Sequence, residues 1–494
     1  MSRLGSAPLV LAILAAGAAP PTANRTNPRV EAGFHAGRDR AGAFIVPRLN
    51  PAATAPALRF RAHMTGWVNV QPLYWRPRGA RHGLLFVASE KNEVAALDAV
   101  TGQALWRVTL GPPGTRQDLC GNIDPVGVSA TGVLDPAHRV LYLDAVIGAA
   151  HSQRQYLVAL SMTDGHMLPG YPLPIGAGVR ALGGQFDDLV EQNRVALTRL
   201  GGRVYVAFGG YSGDCGPYHG VVVGIDTGKA PRVAAYWSTA AVKGGIWNPA
   251  GIVSDGTSLY VATGNTEHAT TWGGGEAVLR LSRDLKPRDY FVPENWQKLD
   301  TGDLDLGGVN PTLIDAPHTP TPKLLLALGK DGAAYLLNRR HLGGISQPLA
   351  KHDVSPDPIR SATAKFRLGK DTMVVVNAHS HDCAGMDGIV ALRVHTDRHG
   401  KPAVSTAWCH EIDGRGAPIV TVSARGGRPV VWIFGAEGDE RLRAYDGATG
   451  AVLYVSDPTP APVPHFSAPL VAEDRLYLPA RNGVLAFKLH RVLP

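Results

Sequence analysis

Four short segments of this sequence carry side chains that could together bind a flat ligand and a metal ion. Trp247 lies in the segment G-I-W-N-P, Asn265 ends the run T-G-N, and Asp305 lies in D-L-D-L-G-G-V-N-P. Lys330 lies in the turn G-K-D-G. An indole with an ammonium group at its edge suits a flat, anionic, conjugated molecule. Carboxylate and amide oxygens suit a hard cation such as Ca²⁺.

A repeated strand pattern predicts how the chain positions these distant residues. Residues 84–110 read as an apolar strand, a tight turn, a second strand that ends in L-D, a T-G turn and a third strand. Similar units recur along the chain, and a further strand precedes most of them. Four strands in each unit of about 40–60 residues are typical of propeller blades. The alternative, an array of two-sheet sandwiches, does not explain the shared D-x-x-T-G turn.

The repeat predicts an all-β fold, an eight-bladed β-propeller of four-stranded blades. The eight blades are predicted at residues 66–110, 124–175, 192–239, 245–292, 307–350, 359–410, 415–457 and 464–490. The last blade lacks its outer strand. Residues 57–61 (A-L-R-F-R) could supply that strand, so that an N-terminal strand closes the ring and leaves no open seam.

Propeller geometry predicts that the candidate residues share one face. The loops between second and third strands and the loops between blades meet at the same channel mouth. All four candidates lie in such loops, and so does Asp214, in the segment S-G-D-C-G-P-Y-H-G. Each also has a plainer explanation, because an indole can pack between blades and G-N and K-D-G are common turn sequences. Their joint placement on one face favours a functional site.

The repeat and these segments resemble the pyrroloquinoline quinone (PQQ) dehydrogenases, which are eight-bladed quinoprotein propellers. In that family a Trp beneath the quinone precedes the Asn of a G-N turn by 18 residues, as Trp247 precedes Asn265. The segment L-D-L-G-G-V-N is similar to the family's W-D-Y-x-G-V-N, which implies that Asp305 is catalytic and near the metal. The G-K-D-G turn is similar to the one that gives the quinone a cation, which implies a catalytic and cofactor-binding Lys330. Asn265 would be a cofactor-site residue and Ca²⁺ ligand.

Two departures from the family pattern affect what the resemblance implies. The family has adjacent cysteines against the quinone, whereas Cys120 stands alone in a comparable loop. The family's Glu ligand for Ca²⁺ lies in G-x-E-x-G-V-R-G, and the segment here is G-D-C-G-P-Y-H-G. Asp214 replaces that Glu in metal and cofactor binding if residues are inserted after it, and an ungapped match puts Cys215 there.

The resemblance implies PQQ- and Ca²⁺-dependent oxidation of an alcohol or a sugar. Asp305 would take the hydroxyl proton as general base, and Ca²⁺ and Lys330 would polarise the quinone carbonyl. Electrons would pass to an external acceptor such as a cytochrome or a quinone, because the sequence has no C-x-x-C-H motif for a covalently attached haem. The alternative is a propeller without cofactor that acts as an exported binding or assembly scaffold.

The four cysteines and two histidines form a second candidate group. Cys383, in the segment H-S-H-D-C, and Cys409 are expected on the same face of blade 6. A Cys383–Cys409 disulfide would leave Cys120–Cys215 as the second bond, and an even cysteine count favours disulfides in an oxidising compartment. The alternative is a Zn²⁺ or copper site formed by His379, His381 and Cys383.

The N-terminal segment and the composition limit the compartment and the partners that the sequence predicts. Arg3, the apolar run 9–16 and A-G-A at 16–18 predict a signal peptide over residues 1–23, followed by a flexible leader over 24–56 and a single propeller over 57–494. The apolar run is too short to span a bilayer, which predicts a periplasmic or secreted protein without a transmembrane segment.

Hydrophobic residues make up 45% of the sequence, which is too many for a disordered chain. The net charge is +8, but the sequence has no cluster of basic residues interleaved with aromatic residues, so nucleic-acid binding is not expected.

Overall fold

The computed structural model describes residues 30–46, 56–115, 120–149, 152–267, 269–317, 319–383, 388–423, 427–465 and 467–489. Eight sheets follow one another along these residues, and each is built on the four antiparallel strands of one predicted blade. The prediction of an all-β, eight-bladed propeller is therefore confirmed. The predicted signal peptide, residues 1–23, lies outside the described residues. No helix in the described part of the chain combines the length and apolar character needed to cross a membrane.

The strands of each blade are named A to D from the channel outwards. Blades 1 to 4 consist of Leu73–Trp75, Leu84–Ala88, Glu93–Asp98 and Ala104–Thr109; Val133–Asp135, Val140–Ile147, Arg154–Ser161 and Leu173–Pro174; Thr198–Leu200, Arg203–Gly210, Val221–Asp226 and Arg232–Ser238; and Val253–Ser254, Leu259–Ala262, Val278–Leu281 and Pro287–Pro293. Blades 5 to 8 consist of Thr312–Asp315, Lys323–Leu328, Ala333–Asn338 and Ala350–Asp353; Ala364–Leu368, Asp371–Asn377, Gly388–Thr396 and Pro402–Glu411; Ile419–Ser423, Val430–Phe434, Arg441–Asp446 and Val452–Pro458; and Leu470–Ala472, Arg475–Ala480, Gly483–Lys488 and Ala57–His63.

A few short elements lie outside this pattern. Strand Glu191–Gln192 pairs with strand B of blade 3, and Gly344–Ser346 pairs in parallel with strand D of blade 4. The α-helices are Ile175–Ala181 and Trp296–Thr301, and the 3-10 helices are Phe34–Ala36 and Leu306–Gly308.

The D-x-x-T-G sequence forms the turn between strands C and D. In blade 1 the carboxylate of Asp98 accepts hydrogen bonds from the backbone N–H groups of Val100 and Thr101, each at 2.8 Å. The closing glycine, at φ +75° in blade 1, leaves room for an aromatic side chain of the preceding blade. Trp106 of blade 1 packs in this way on Gly165 of blade 2. The sequence occurs twice, at residues 98–102 of blade 1 and 446–450 of blade 7, and in both turns the glycine packs against an aromatic side chain of the preceding blade.

The ring closes through the N-terminal strand that the sequence predicts. Ala57–His63 pairs antiparallel with Gly483–Lys488 and forms strand D of blade 8. Its Phe60 packs on Gly102, the turn glycine of blade 1, in the position that Trp106 occupies one blade later. One strand from the start of the described propeller thus joins the last blade to the first.

Residues 30–46 differ from the flexible leader predicted over 24–56, because they enter the central channel. Val30–Glu31 pairs with strand A of blade 1, and Ala43–Val46 pairs in parallel with strand A of blade 7. Between these strands Phe34 packs in one buried cluster with alanines of five blades, Ala196, Ala250, Ala362, Ala417 and Ala468. We call residues 30–46 the channel plug. The rest of the predicted leader lies outside the described residues, except for Pro56, which directly precedes the strand that closes the ring.

Two buried polar side chains fix the channel plug. Arg40 is 1% exposed, and its guanidinium donates to carbonyl oxygens of Ala250 at 2.9 Å and Leu197 at 2.9 Å and to the hydroxyl of Thr198 at 2.7 Å. His35 is fully buried; its Nδ1 lies 3.0 Å from the carbonyl oxygen of Thr363, to which it donates. Burial lowers the pKa of His35 to about 3, so the ring is neutral at physiological pH.

Candidate functional site

The four residues that carry the candidate site come together at one end of the channel. Trp247 and Asp305 lie in the loops that enter strands A of blades 4 and 5, and Asn265 and Lys330 lie in the loops after strands B of the same blades. Because antiparallel strands return the chain to the same face, these loops meet. The predicted grouping of these four residues on one face therefore agrees with the structure.

Asp305 is the centre of the group. It is 4% exposed, and both oxygens of its carboxylate are engaged. Oδ2 accepts hydrogen bonds from the indole Nε1 of Trp247 at 3.1 Å and from the ammonium group of Lys330 at 2.6 Å. Oδ1 accepts from the backbone N–H of Asn265 at 2.7 Å. A Cβ at Gly264 would lie 2.9 Å from Oδ1, so this approach depends on a glycine there.

Lys330 links the buried carboxylate to the surface. Its ammonium group also bonds Asp303 at 2.6 Å, whose side chain is 70% exposed. The same nitrogen lies over the indole of Trp247, 5.3 Å from the ring centroid, within the range of a cation–π contact. The sequence predicts this ammonium group at the edge of the indole, whereas the structure places it over the ring, where Asp303 and Asp305 hold it.

Burial and neighbouring charges shift the protonation of this group. Burial raises the pKa of Asp305, against the opposing effect of Lys330 and the N–H of Asn265. The pKa of Lys330 is raised by the two carboxylates, although its own burial opposes this, so the side chain keeps its charge. The arrangement is an ion pair in which the carboxylate is the more desolvated partner.

Glu276 lies directly behind the ion pair and was not identified from the sequence. It is fully buried, and its Oε2 accepts a hydrogen bond from the backbone N–H of Leu306 at 2.6 Å. Its Oε1 has no hydrogen-bond partner among the described residues. Burial, and next the charge of Asp305, raise its pKa well above the usual value, which favours the neutral acid. It stands in a G-G-G-E-A stretch that has no motif spacing to the other residues.

Asp214 lies on the loop of blade 3, and its carboxylate accepts a hydrogen bond from the hydroxyl of Tyr218 at 2.6 Å. The Tyr218 ring lies against the loop of blade 4, since a Cβ at Gly245 would be 3.1 Å from its Cε2. Asp214 is therefore linked to the site around Asp305 only indirectly, through the Tyr218 side chain. It is not among the residues that contact Asp305, Asn265 or Lys330 in the described part of the chain.

The donor set does not fit a Ca²⁺ ion in this arrangement. Within the described ranges, no three His, Cys, Asp or Glu side chains are placed to hold a metal ion. The oxygens of Asp305 face N–H donors and an ammonium group, and the side-chain amide of Asn265 donates to Asp303 at 3.0 Å. A calcium site needs several oxygens directed at one point, and here Lys330 already supplies the positive charge.

Both predicted disulfides are present. Cys120–Cys215 joins the loop before blade 2 to the loop of blade 3 that carries Asp214, with the Cα atoms 5.8 Å apart. Cys383–Cys409 joins a loop of blade 6 to the last strand of that blade, with the Cα atoms 6.2 Å apart. The alternative zinc or copper site loses its thiolate to this bond, and the Nδ1 of His379 lies 2.8 Å from the carboxylate of Asp357 instead.

Comparisons with known proteins agree with the repeat. A family model described as outer membrane protein assembly factor BamB matches residues 57–273. Among solved structures, quinohemoprotein alcohol dehydrogenase ADHIIG from Pseudomonas putida HK5 superposes with a TM-score of 0.65 at 14% identity, covering 96% of this chain and 83% of that one. A europium-containing methanol dehydrogenase gives 0.62 at 14% identity, with 91% and 89% covered. BamB from Moraxella catarrhalis gives 0.53 at 13% identity, with 88% and 100% covered. No curated protein matches in sequence.

Proposed function

We propose that this eight-bladed propeller belongs to the PQQ-like family, and that its loop face binds a flat, anionic quinone of the PQQ type and oxidises an alcohol or a sugar. One observation carries this proposal. The indole of Trp247, the carboxylate of Asp305 and the ammonium group of Lys330 meet within hydrogen-bond and cation–π distance at the channel mouth.

Each of these residues has a role that follows from its position. Trp247, half-buried, would stack its ring against the quinone, and Lys330, whose ammonium group lies over the indole, would supply a positive charge. When bound, the quinone would accept a hydride from the substrate carbon. Asp305 would accept the hydroxyl proton of the substrate, and burial favours this role because it raises the pKa of the carboxyl towards neutral pH.

The ion pair must open for Asp305 to act as a base. A substrate hydroxyl would take the place of Lys330 on Oδ2, and Lys330 would keep Asp303 as its partner. Because Asp303 is largely exposed, it can follow the ammonium group without a large desolvation cost. Calcium has no part in this scheme, since the donor set does not fit it.

The setting proposed is an exported protein, periplasmic or secreted. The two disulfides support an oxidising compartment. The electrons would leave to an external acceptor such as a cytochrome or a quinone, because the sequence lacks a motif for covalent haem.

A PQQ titration of the purified full-length chain, followed by absorbance and calorimetry, tests the proposal. We expect saturable binding without added calcium and alcohol-dependent reduction of an artificial dye. Trp247→Ala should weaken binding, and Asp305→Asn should abolish dye reduction while PQQ still binds. Trp67→Ala is the matched control, because this exposed tryptophan of blade 1 also carries a cation over its ring, Arg481 at 4.9 Å. Absence of PQQ binding would refute the proposal.

A second function, an exported binding or assembly scaffold without cofactor, is supported by one specific observation. The family model that matches residues 57–273 describes an outer membrane protein assembly factor, and the carboxylate that catalysis requires is occupied. Crosslinking in the extract of the source cells would then recover a partner protein. Partner recovery that is unchanged in Trp247→Ala, together with no PQQ binding, would favour this function over the first.

A further inference from the structure

A cavity of about 240 Å³ lies between blades 5 and 6, on the face opposite to Asp305. Its lining residues lie near the ends of strands A and C and near the starts of strands B and D, around the A–B and C–D turns. The loops that carry the candidate site are at the other end of these strands. The volume falls just below the range of about 300–1,000 Å³ that is usual for ligand pockets, so the cavity suits a small molecule.

The floor of the cavity is apolar and is shared by the two blades. Ile314 and Leu324 form a cross-strand pair of blade 5, and Val394 of blade 6 belongs to the same buried cluster. Ala316 packs against that cluster from the A–B turn of blade 5, and Pro317 follows it along the wall. An apolar group that enters the cavity leaves water for a surface of hydrocarbon side chains, which favours its binding.

One wall of the cavity carries a fixed positive charge. The guanidinium group of Arg367, on strand A of blade 6, donates to the backbone carbonyl oxygen of Asp315 of blade 5 at 3.2 Å. It also donates to the hydroxyl of Thr372 at 3.1 Å and to the backbone carbonyl oxygen of Lys370 at 2.6 Å. These three acceptors are uncharged, so they hold the guanidinium group across the gap between the blades without neutralising it.

Lys370 adds a second positive charge from the A–B turn of blade 6. The residue is exposed and lines the cavity, and its ammonium group has no hydrogen-bond or ion-pair partner in the part of the chain that the structure describes. The carboxylate of Asp371 is paired with Arg393 at 2.7 Å, and that of Asp315 is paired with Lys323 at 2.8 Å. Because these two nearby acids are already paired, the cavity keeps an excess of positive charge.

We propose that this cavity binds a small monocarboxylate with a compact apolar body, the class to which short-chain fatty acids and aromatic acids belong. The apolar body lies on the floor between the blades, and the carboxylate pairs with Lys370 and Arg367. A neutral molecule lacks the charge pairing, and a small anion without a body lacks the apolar contact. The inference goes beyond the proposed function, because it concerns the opposite face and does not depend on a quinone over Trp247.

Calorimetric titration of the full-length chain with hexanoate and benzoate at low ionic strength tests the proposal. Acetate keeps the charge but lacks the apolar body, so it should bind at least about tenfold more weakly. Hexanol and benzyl alcohol keep the body but lack the charge, and they should bind about three- to tenfold more weakly than the matching carboxylates. Binding of either carboxylate in this order supports the proposal, and the tighter of the two identifies the shape of the body. Failure of both carboxylates to bind, or equally tight binding of acetate or of the alcohols, would overturn it.

Two variants assign the binding to the cavity. Ala316→Phe places an aromatic side chain in the cavity and should weaken binding of the carboxylate by at least about tenfold, because the ligand loses its apolar contact. Lys370→Gln removes the unpaired charge and should weaken binding by about two- to fivefold. Lys286→Gln is the matched control, since this exposed lysine lies in the C–D turn of blade 4, on the same face, and does not line the cavity.

The two variants keep the assignment open to refutation even if one of them does not fold. Lys370→Gln changes an exposed side chain on a turn, so it tests the charge when Ala316→Phe cannot be purified. Carboxylate binding that is unchanged in Lys370→Gln, or in a folded Ala316→Phe, would refute the assignment. Trp247→Ala should leave carboxylate binding unchanged, so a failed quinone titration and a failed carboxylate titration are separate results.

Discussion

Replacing Lys330 with methionine should make the stability of the protein depend on pH in a defined direction. Asp305 is 4% exposed and has Lys330, at 2.6 Å, as its cationic partner. The variant keeps the hydrogen bonds from Trp247 and from the backbone of Asn265 but leaves a buried carboxylate without a positive charge. Removing one partner of a buried pair costs about 3–5 kcal/mol. The exposed Asp303 adds little to this figure, since exposed pairs contribute about 0–1 kcal/mol.

The sign of the pH dependence follows from the pKa of Asp305. Burial already raises this pKa, and Lys330 opposes the rise, so the variant raises it further. A carboxyl whose folded pKa is higher than its unfolded pKa favours folding when protonated. The deficit of the variant should therefore be small below the unfolded value of about 3.9 and grow as the pH rises through the folded pKa.

Urea denaturation between pH 4 and pH 8 measures this effect. We expect Lys330→Met to approach the parent protein at pH 4 and to fall about 3–5 kcal/mol below it at pH 8. The double variant Lys330→Met with Asp305→Asn lacks the charge and should recover most of the loss at pH 8. Asp303→Asn, which removes only the exposed partner, should change stability by less than about 1 kcal/mol. A deficit that is the same at both pH values, or that persists in the double variant, would refute the reasoning.

Two further predictions concern the parts of the fold that the N-terminal segments complete. Arg40→Met removes the buried guanidinium that ties the channel plug to blades 3 and 4. Hydrogen exchange in residues 30–46 should then become faster by at least about tenfold, while strands B and C of the blades keep their protection. Unchanged exchange in residues 30–46 would contradict the role given to Arg40. Phe60→Ala leaves a gap on Gly102 at the junction of blades 8 and 1. Because Phe60 is partly buried, the variant should destabilise the protein by about 1–3 kcal/mol in urea denaturation. Leu58→Ala on the same strand, at a side chain that is 46% exposed, should cost far less, and equal losses would show that Phe60 does not seal the ring.

The sequence predicts the propeller because its signals are local and repeated. The D-x-x-T-G turn specifies its own hydrogen bonds, as Asp98 shows, and the strands around it form a four-stranded antiparallel unit that recurs in each blade. Closure of the ring by residues 57–63 is predictable for the same reason. The last predicted blade lacks its outer strand, and the strand predicted at residues 57–61 belongs to no other blade. The meeting of Trp247, Asn265, Asp305 and Lys330 follows from the topology once the blades are known.

The channel plug could not be predicted in this way. Its two strands have two and four residues, too short to show a period, and its stability comes from partners far along the chain. Arg40 would be read as an exposed charge in a segment rich in Pro, Ala, Gly and Arg, whereas carbonyl oxygens of blades 3 and 4 surround it. Glu276 was missed for a related reason, because its burial behind Asp305 results from a loop with no spacing signal.

The ion pair of Lys330 and Asp305 determines which of the two proposed functions this propeller can perform. If the ammonium group leaves Oδ2, as its second partner Asp303 allows, a buried carboxylate with a raised pKa becomes available beside an indole face. If it stays, the same three residues only brace the loops of blades 4 and 5, and the face is a rigid surface suited to binding. Ligand binding at the channel mouth would shift the equilibrium between these two states. A bound anion would attract Lys330 away from Asp305, whereas a bound cation would repel Lys330 and so keep it on Asp305.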